Sequence, residues 1–159
     1  MSLPKDPDHD LGLIYRQGSV DDLAAVYELN CNSFSESWTF SGLKDALESE
    51  YELCVCLDNK FLAGYLLSHD ILDEVHIMQV AVASTYRRKG IAEQLSRNLL
   101  DAKTGRKLLL EVRASNASAQ ALYGKLGFIC SGVRKDYYVP SQESGVREDA
   151  ILMSFQQVD

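Results

Sequence analysis

The sequence predicts an α+β fold in which helices cover a mixed β-sheet, and three observations lead to this prediction. Strand-like and helix-like patterns follow one another in the order β-α-α-β-β-β-α-β-α-β-β, which gives about seven strands and about four helices. The stretch 77–82, Ile-Met-Gln-Val-Ala-Val, is apolar and partly β-branched, as a strand covered on both faces would be. A basic turn ending at Gly90 then leads into a helix that carries Ile91, Leu95 and Leu99 on one side.

The first half of the chain is predicted to hold a strand, two helices and a strand hairpin. Ser19 can cap the first helix, and Asp21 and Asp22 suit the positive end of its dipole. Trp38 opens the second, shorter helix, and turn residues at 58–60 join two strands as a hairpin. The predicted strands are 13–17, 51–57, 61–68 and the long strand that ends at 82, and the second helix is 40–47.

The second half of the chain alternates helices with strands. The helix after the basic turn runs to about Ala102, and a helix capped by Ser115 or Asn116 runs through Leu126. Gly127 ends that helix in the left-handed conformation that glycine tolerates. The predicted strands are 107–112, 128–138 and 148–155, and a loop at 140–146 joins the last two.

Length, charge and cysteine spacing exclude several classes of protein. The 159 residues suffice for one domain at 12–156, and the polar start at 1–11 is expected to be a flexible tail. A net charge of −7 argues against a general nucleic-acid binder and suits a basic substrate.

No apolar run is as long as a membrane span and the start has no signal-peptide core, so we expect a cytoplasmic protein. We expect reduced thiols and no metal, because the cysteines match neither a zinc nor a redox motif: Cys31, Cys54, Cys56 and Cys130.

The turn at 87–90 has the features of an anion site. Arg87, Arg88 and Lys89 supply positive charge, and Gly90 lets a ligand approach the backbone with no Cβ in the way. The amides and the dipole at the start of the following helix favour a phosphate group. The spacing fits neither a P-loop nor a Gly-x-Gly-x-x-Gly dinucleotide turn. Two interpretations remain, a pyrophosphate cradle and an ordinary strand-to-helix connection with a solvated basic turn.

The segment 87–92, Arg-Arg-Lys-Gly-Ile-Ala, resembles the Gln/Arg-x-x-Gly-x-Gly/Ala signature of the GNAT acetyltransferases. The order of predicted elements over about 12–156 is also the order of the GNAT fold. The resemblance implies a mostly antiparallel sheet whose two central strands, the one ending at 82 and 107–112, splay apart to admit acetyl-CoA. It assigns acetyl-CoA binding to Val80, Ala81, Val82, Arg87, Arg88, Lys89, Gly90, Ile91, Ala92, Glu93, Asn116 and Tyr123.

The second half is similar to one branch of that family, the RimI enzymes, which acetylate the N-terminal alanine of ribosomal protein S18. The similar segments are 110–123, 126–128, 137–138 and 147–153. The resemblance implies an α-amine acceptor on a small-subunit ribosomal protein, and we expect a monomer or weak dimer without direct nucleic-acid binding. Two departures occur, since Ala92 stands at the second glycine, which the signature allows, and Ser37 precedes Trp38 where proline is usual.

Glu111 is the candidate general base. It interrupts the apolar run 108–112, so its carboxylate is expected to be shielded from water and to be a better proton acceptor near neutral pH. An ion pair with Arg113, which points to the same face of the strand, is the alternative. The family resemblance favours catalysis, because the matching glutamate is the base in RimI enzymes.

Tyrosines supply the other candidate site residues. Spacing places Tyr123 on the apolar stripe of its helix, which is typical of a core residue, whereas the resemblance places it beside the cofactor sulfur as the acid. The residue type and position of Asn116 predict that it caps the same helix. The family resemblance implies that it also contacts the cofactor. Tyr137 and Tyr138 are assigned to the acceptor peptide on family grounds, and the alternative is a hairpin with aromatic cross-strand pairs.

The chemistry favours an α-amine acceptor over a lysine side chain. The pKa of an α-amine is about 7.7–8.0 and that of a lysine amine about 10.4, so deprotonation at pH 7 costs about 1 and about 4.6 kcal/mol respectively. The amine is expected to attack the thioester directly, which needs no cysteine. Two alternatives stay open, a GNAT enzyme acting on lysines or small amines, and a CoA-binding module without catalysis.

Overall fold

The computed structural model describes residues 12–140 and 145–157. The predicted tail at 1–11 and part of the predicted loop at 140–146 lie outside the described residues. The strands are β1 Leu13–Gln17, β2 Tyr51–Asp58, β3 Phe61–Ile71, β4 Glu74–Val82, β5 Lys107–Arg113, β6 Ile129–Tyr138 and β7 Glu148–Gln156. The helices are α1 Leu23–Ser33, α2 Phe40–Leu47, α3 Ile91–Ala102 and α4 Ala117–Leu126, with single 3₁₀ turns at Val20–Asp22 and Ser84–Tyr86.

The seven strands form one sheet in the order β1-β2-β3-β4-β5-β7-β6. Only the β4–β5 pair is parallel among the pairs described, and the others are antiparallel. This confirms the predicted order of elements and the mixed, mostly antiparallel sheet. β3 is longer than the predicted strand 61–68, because it keeps pairing with β4 as far as Ile71 and Glu74.

Each face of the sheet is packed against two helices. The core under α3 and α4 includes side chains from β3, β4 and β5, and the core under α1 and α2 includes side chains from β2, β3 and β4. The helices contribute Ile91, Leu95, Leu99, Tyr123 and Leu126 to the first core and Leu23, Val26 and Leu43 to the second. In the part of the chain that is described, no helix combines the length and the hydropathy needed to cross a membrane.

Local sequence signals fix where the helices begin and end. Ser19 and Asp22 form a capping box ahead of α1. Of the two predicted caps for α4, Asn116 is used, since its Oδ1 accepts a hydrogen bond from the Ala119 amide at 3.1 Å. Gly127 ends α4 at a φ of 103°, as the sequence predicts.

The middle of the sheet opens between β4 and β5. Their parallel pairing stops at Ile77 and Leu110, although β4 continues to Val82 and β5 continues to Arg113. The two strands therefore diverge over their carboxyl-terminal halves. This is the splayed pair that the family resemblance implies.

A β-bulge in β4 accompanies this divergence. Leu67 of β3 pairs with Gln79, whereas the next residue, Ser68, pairs with Ile77, so Met78 is the extra residue. A bulge bends its strand and raises the local twist. Because the bulge comes directly after the last residue that pairs with β5, it turns the rest of β4 away from β5.

Candidate active site

The basic turn 87–90 lies where β4 ends and α3 begins. Arg88 and Gly90 both have positive φ, 62° and 78°, a conformation that is uncommon for arginine and often marks binding sites. No heavy atom beyond its chain neighbours lies within 4 Å of the point where a Cβ would stand on Gly90. The first intrahelical bond of α3 runs from the Gln94 amide to the Gly90 carbonyl at 2.9 Å, so the amides of 91–93 point out of the helix end. An anion can approach this backbone without a steric barrier.

A second glycine brings the start of α3 close to the opening. Gly64 of β3 pairs with Val82, the last residue of β4. A Cβ on Gly64 would stand 2.9 Å from the carbonyl oxygen of Ala81 and 3.0 Å from a methyl group of Ile91, the first residue of α3. Only glycine permits this close approach, which places the basic turn next to the free half of β4.

The free half of β4 forms one edge of the opening. Val80, Ala81 and Val82 pair with β3 on one side, and their other side faces β5 without strand pairing in the described sheet. Asn116 and the start of α4 follow directly after β5, at the same end of the opening. The backbone groups of β4 are therefore positioned to bind an extended ligand, as a further strand would.

Tyr123 lies in the core beneath α4. Its ring meets that of Phe128 edge to face, with 5.3 Å between centroids, and its hydroxyl forms a hydrogen bond with Ser96. Burial raises the pKa of Tyr123 to about 12. The hydroxyl thus keeps its proton at neutral pH and can act as a hydrogen-bond donor. The packing is that of a core residue, and the catalytic role stays a prediction.

Glu111 is the first residue of β5 beyond its last pair with β4, so it lies at the mouth of the opening. It points away from α3 and α4, because Leu110 and Val112 on either side are buried in the core under those helices. Its side chain is 29% exposed and its Oε1 lies 3.4 Å from Nε of Arg134. Burial is therefore less complete than the sequence predicts, and on this face the core of described residues under α1 and α2 includes side chains of β2, β3 and β4 but none of β5.

Arg113 does not contact Glu111 among the ion pairs of the described residues, so the alternative left open by the sequence is not formed. The guanidinium lies 3.2 Å from Glu148 and 3.9 Å from Glu36. The hydrogen bond from the Ser115 side chain is the main cause that lowers the pKa of Glu148, followed by the bond that the Ser115 amide donates at 2.6 Å. Among the described residues, the ion pair of Glu111 is therefore with Arg134.

Two tyrosines at the end of β6 form an aromatic wall beside Glu111. The rings of Tyr137 and Tyr138 meet edge to face at 5.0 Å, and Arg113 lies over the Tyr138 ring at 4.4 Å. The Tyr137 hydroxyl is hydrogen-bonded to Glu111, and the charge of this carboxylate is the first cause that raises the pKa of Tyr137. Burial raises the pKa of Tyr138 to about 12. We call Tyr137 and Tyr138 the acceptor wall.

The structure thus brings the predicted residues to two sides of one opening. The residues that the resemblance assigns to the cofactor lie along β4, the basic turn and the starts of α3 and α4, except Tyr123, which lies in the core beneath α4. Glu111 and the acceptor wall lie on the other face of the sheet. Sequence reasoning missed Arg134 and Glu36. Glu36 accepts a hydrogen bond from the Val139 amide at 3.0 Å, which ties the segment between α1 and α2 to the end of β6. No local pattern signals either residue, because each contact joins distant parts of the chain.

Residues 23–128 match the model of the Acetyltransferase (GNAT) family. The chain belongs to the GNAT acetyltransferase family. Within the described residues, no three His, Cys, Asp or Glu side chains are grouped so that they could hold a metal. The order of elements and the mostly antiparallel sheet are those of the GNAT fold, and the role of 87–90 as a pyrophosphate cradle stays a prediction.

Named GNAT relatives cover nearly the whole chain. The [ribosomal protein bS18]-alanine N-acetyltransferase of Escherichia coli K12 is 34% identical over 136 residues, which are 84% of this chain and 90% of that protein. The enzyme of the same name from Haemophilus influenzae is 33% identical over 144 residues, covering 89% and 97%. The crystal structure of the Escherichia coli ribosomal-protein-S18-alanine N-acetyltransferase superposes with a TM-score of 0.83 at 32% identity, covering 91% of this chain and 93% of that one.

Proposed function

We propose that this chain is an acetyl-CoA-dependent N-terminal acetyltransferase whose acceptor is the N-terminal alanine of ribosomal protein bS18. The observation that carries the proposal is the opening between β4 and β5, with Glu111 at its mouth and the basic turn at its end. The names of the relatives, at about one third identity, supply the acceptor. Residues 12–156 act as one domain in this proposal, and the reaction belongs in the cytoplasm, where ribosomal proteins are made.

Acetyl-CoA fits the cofactor side of the opening. The positive charge of Arg87, Arg88 and Lys89, the open space at Gly90 and the outward amides of 91–93 suit the pyrophosphate. The edge of Val80, Ala81 and Val82 that is not paired with β5 suits the amide groups of the pantetheine arm. Asn116 and Tyr123 approach from α4. When bound, the thioester supplies an activated acetyl group.

Glu111 accepts the proton that the α-amine loses as its nitrogen attacks the thioester carbon, directly or through a water. The C–N bond forms, the C–S bond breaks, and over the whole reaction one proton moves from nitrogen to sulfur. The Tyr137 hydroxyl and Arg134 hold the Glu111 carboxylate towards the acceptor wall. Because the amine attacks directly, none of the cysteines takes part.

Tyr123 stabilises the departing sulfur as a hydrogen-bond donor. Burial raises the pKa of Tyr123 to about 12, so the hydroxyl carries its proton at neutral pH. Donation of a hydrogen bond from this hydroxyl to the developing negative charge lowers the barrier, and the family resemblance assigns the same hydroxyl as the acid that protonates the thiolate.

The experiment is acetylation of a synthetic peptide that copies the N-terminus of bS18, followed by mass spectrometry. Two control peptides accompany it, one blocked at the α-amine and one with its first four residues scrambled. We expect acetyl transfer to the first peptide alone. Transfer to the blocked peptide would show lysine acetylation, and equal rates with the scrambled peptide would remove the bS18 assignment. Binding of acetyl-CoA without any transfer would favour the non-catalytic module.

A further inference from the structure

A buried polar network joins helix α1 to the two strands behind the opening. Asn30 and Tyr65 are fully buried and Gln79 is 8% exposed. The Asn30 Nδ2 donates to the Tyr65 hydroxyl at 3.0 Å and to Oε1 of Gln79 at 2.6 Å, and the Tyr65 hydroxyl donates to the same Oε1 at 2.9 Å. Burying three polar side chains costs free energy that an apolar core would not require, even when all are hydrogen-bonded.

One end of this network holds a loop. The Asn30 Oδ1 accepts a hydrogen bond from the backbone amide of Trp38 at 2.9 Å. Trp38 belongs to the segment 34–39, which connects α1 to α2 and which Glu36 ties to the Val139 amide, just past the acceptor wall. Asn30 therefore fixes the segment that borders the acceptor side of the site.

The other end holds the diverging strand. Gln79 is the first residue of β4 after the bulge at Met78, and so the first residue of the half that has left β5. Its Oε1 is bound from α1 by Asn30 and from β3 by Tyr65. These two bonds join the free half of β4 to α1 and β3, on the side away from β5, and so favour the separation of β4 from β5.

We propose that Asn30, Tyr65 and Gln79 are positioning residues that set the distance between the acceptor amine and the thioester. The inference rests on the proposed function, since it takes segment 34–39 as the acceptor side and the free half of β4 as the thioester side. The three side chains are buried, and their hydrogen bonds connect the segment 34–39 to the free half of β4. The rate of a reaction between two held groups falls steeply with misplacement, by about 100-fold for about 1 Å.

The test replaces Gln79 with methionine, which has a similar length and no acceptor oxygen. We expect kcat/KM for the bS18 peptide to fall at least about tenfold. The Kd for acetyl-CoA should change by a clearly smaller factor, because the basic turn proposed to hold the pyrophosphate is not part of the network. Tyr65→Phe, which removes the hydroxyl from the middle of the network, gives the same pattern and serves if Gln79→Met fails to fold. Tyr15→Phe is the matched control, because the Tyr15 hydroxyl is hydrogen-bonded to Cys56, whereas the bonds of the network join Asn30, Tyr65 and Gln79 to one another.

A second readout is independent of catalysis. Trp38 is the single tryptophan of the chain, so tryptophan fluorescence reports on the segment 34–39 and on what packs against the Trp38 ring, including Tyr51. Gln79 is hydrogen-bonded to Asn30, which accepts from the Trp38 amide, so we expect Gln79→Met to shift the emission or anisotropy of Trp38 and Tyr15→Phe to leave both unchanged.

Two outcomes would overturn the inference. One is a folded Gln79→Met variant with wild-type kcat/KM, and the other is a parallel loss of peptide turnover and acetyl-CoA binding that follows the unfolded fraction. If the wild-type chain does not acetylate the peptide, the proposed function fails, and unchanged Trp38 emission in Gln79→Met would then reject the coupling separately.

Discussion

Replacement of Glu111 by glutamine tests the proposed chemistry with little change in shape. The ion pair that is lost joins Glu111 to an Arg134 side chain that is 56% exposed, at 3.4 Å. Pairs this exposed contribute no more than about 1 kcal/mol to stability, so the fold should persist. General base catalysis contributes about 100-fold to 10,000-fold to a rate. We therefore expect kcat at pH 7 to fall about 100-fold or more in Glu111→Gln.

The pH dependence of the variant follows from the same reasoning. Without Glu111, only the neutral fraction of the α-amine reacts, and this fraction rises with pH until the pH exceeds an amine pKa of about 7.7–8.0. The deficit relative to the wild type should therefore shrink between about pH 6 and 9. Initial rates of thiol release from acetyl-CoA measure it, and calorimetry with acetyl-CoA shows whether the cofactor side is intact.

The matched control is Glu52→Gln. Glu52 is also a partly exposed strand glutamate in an ion pair, with Lys103 at 3.0 Å, but it lies on β2 outside the proposed site. It should retain wild-type rates at every pH. The reasoning about Glu111 is refuted by a folded Glu111→Gln variant with wild-type kcat at pH 7, or by a deficit that stays constant with pH.

Three further predictions concern other parts of the chain. Tyr123→Phe removes the proposed donor to the sulfur and the bond to Ser96, so initial rates should fall about tenfold or more and thermal unfolding should show a loss of about 1 kcal/mol. Gly90→Val places a β-branched residue at a φ of 78°, so calorimetry should show weaker acetyl-CoA binding; wild-type affinity would contradict the cradle. The hydrogen bond from Arg16 is the main cause that lowers the pKa of Asp22 in the folded state. The lowered pKa stabilises the folded state above the unfolded pKa of about 3.9, and this stabilisation is lost as pH falls through the folded pKa. Arg16→Gln should thus be less stable than wild type at neutral pH in urea unfolding, and the gap should close below about pH 4.

The order of elements follows from local patterns in the sequence, but the opening does not. The run 77–82 has the composition of one continuous buried strand, and its helix-side residues would alternate in a regular strand. In the structure, Ile77 and Val80 both pack in the core under α3 and α4, three positions apart, because Met78 is inserted as a bulge. Because the residues on both sides of Met78 are apolar, the sequence does not show that the alternation shifts by one residue at the bulge. The divergence of β4 from β5 was therefore predicted from the family resemblance alone.

The same limit applies to the partners of the site residues. The apolar neighbours of Glu111 predict its strand, yet its contact with Arg134 depends on β7 lying between β5 and β6, which no local pattern encodes. Asn30 has helical spacing, and the sequence offers no reason to connect it with Tyr65 and Gln79. Motifs close in sequence, such as the basic turn, were predictable, whereas contacts made by the sheet order were not.

The central claim is that the opening between β4 and β5 holds a thioester where an N-terminal amine can reach it. The most direct measurement is a crystal structure of the chain with a bisubstrate compound that joins CoA through an acetyl group to a peptide copying the bS18 N-terminus. We expect the pantetheine arm beside Val80–Val82, the pyrophosphate at Gly90, and the peptide amine next to Glu111 and the acceptor wall. β4 and β5 paired along their whole length, with the compound bound elsewhere, would contradict the account.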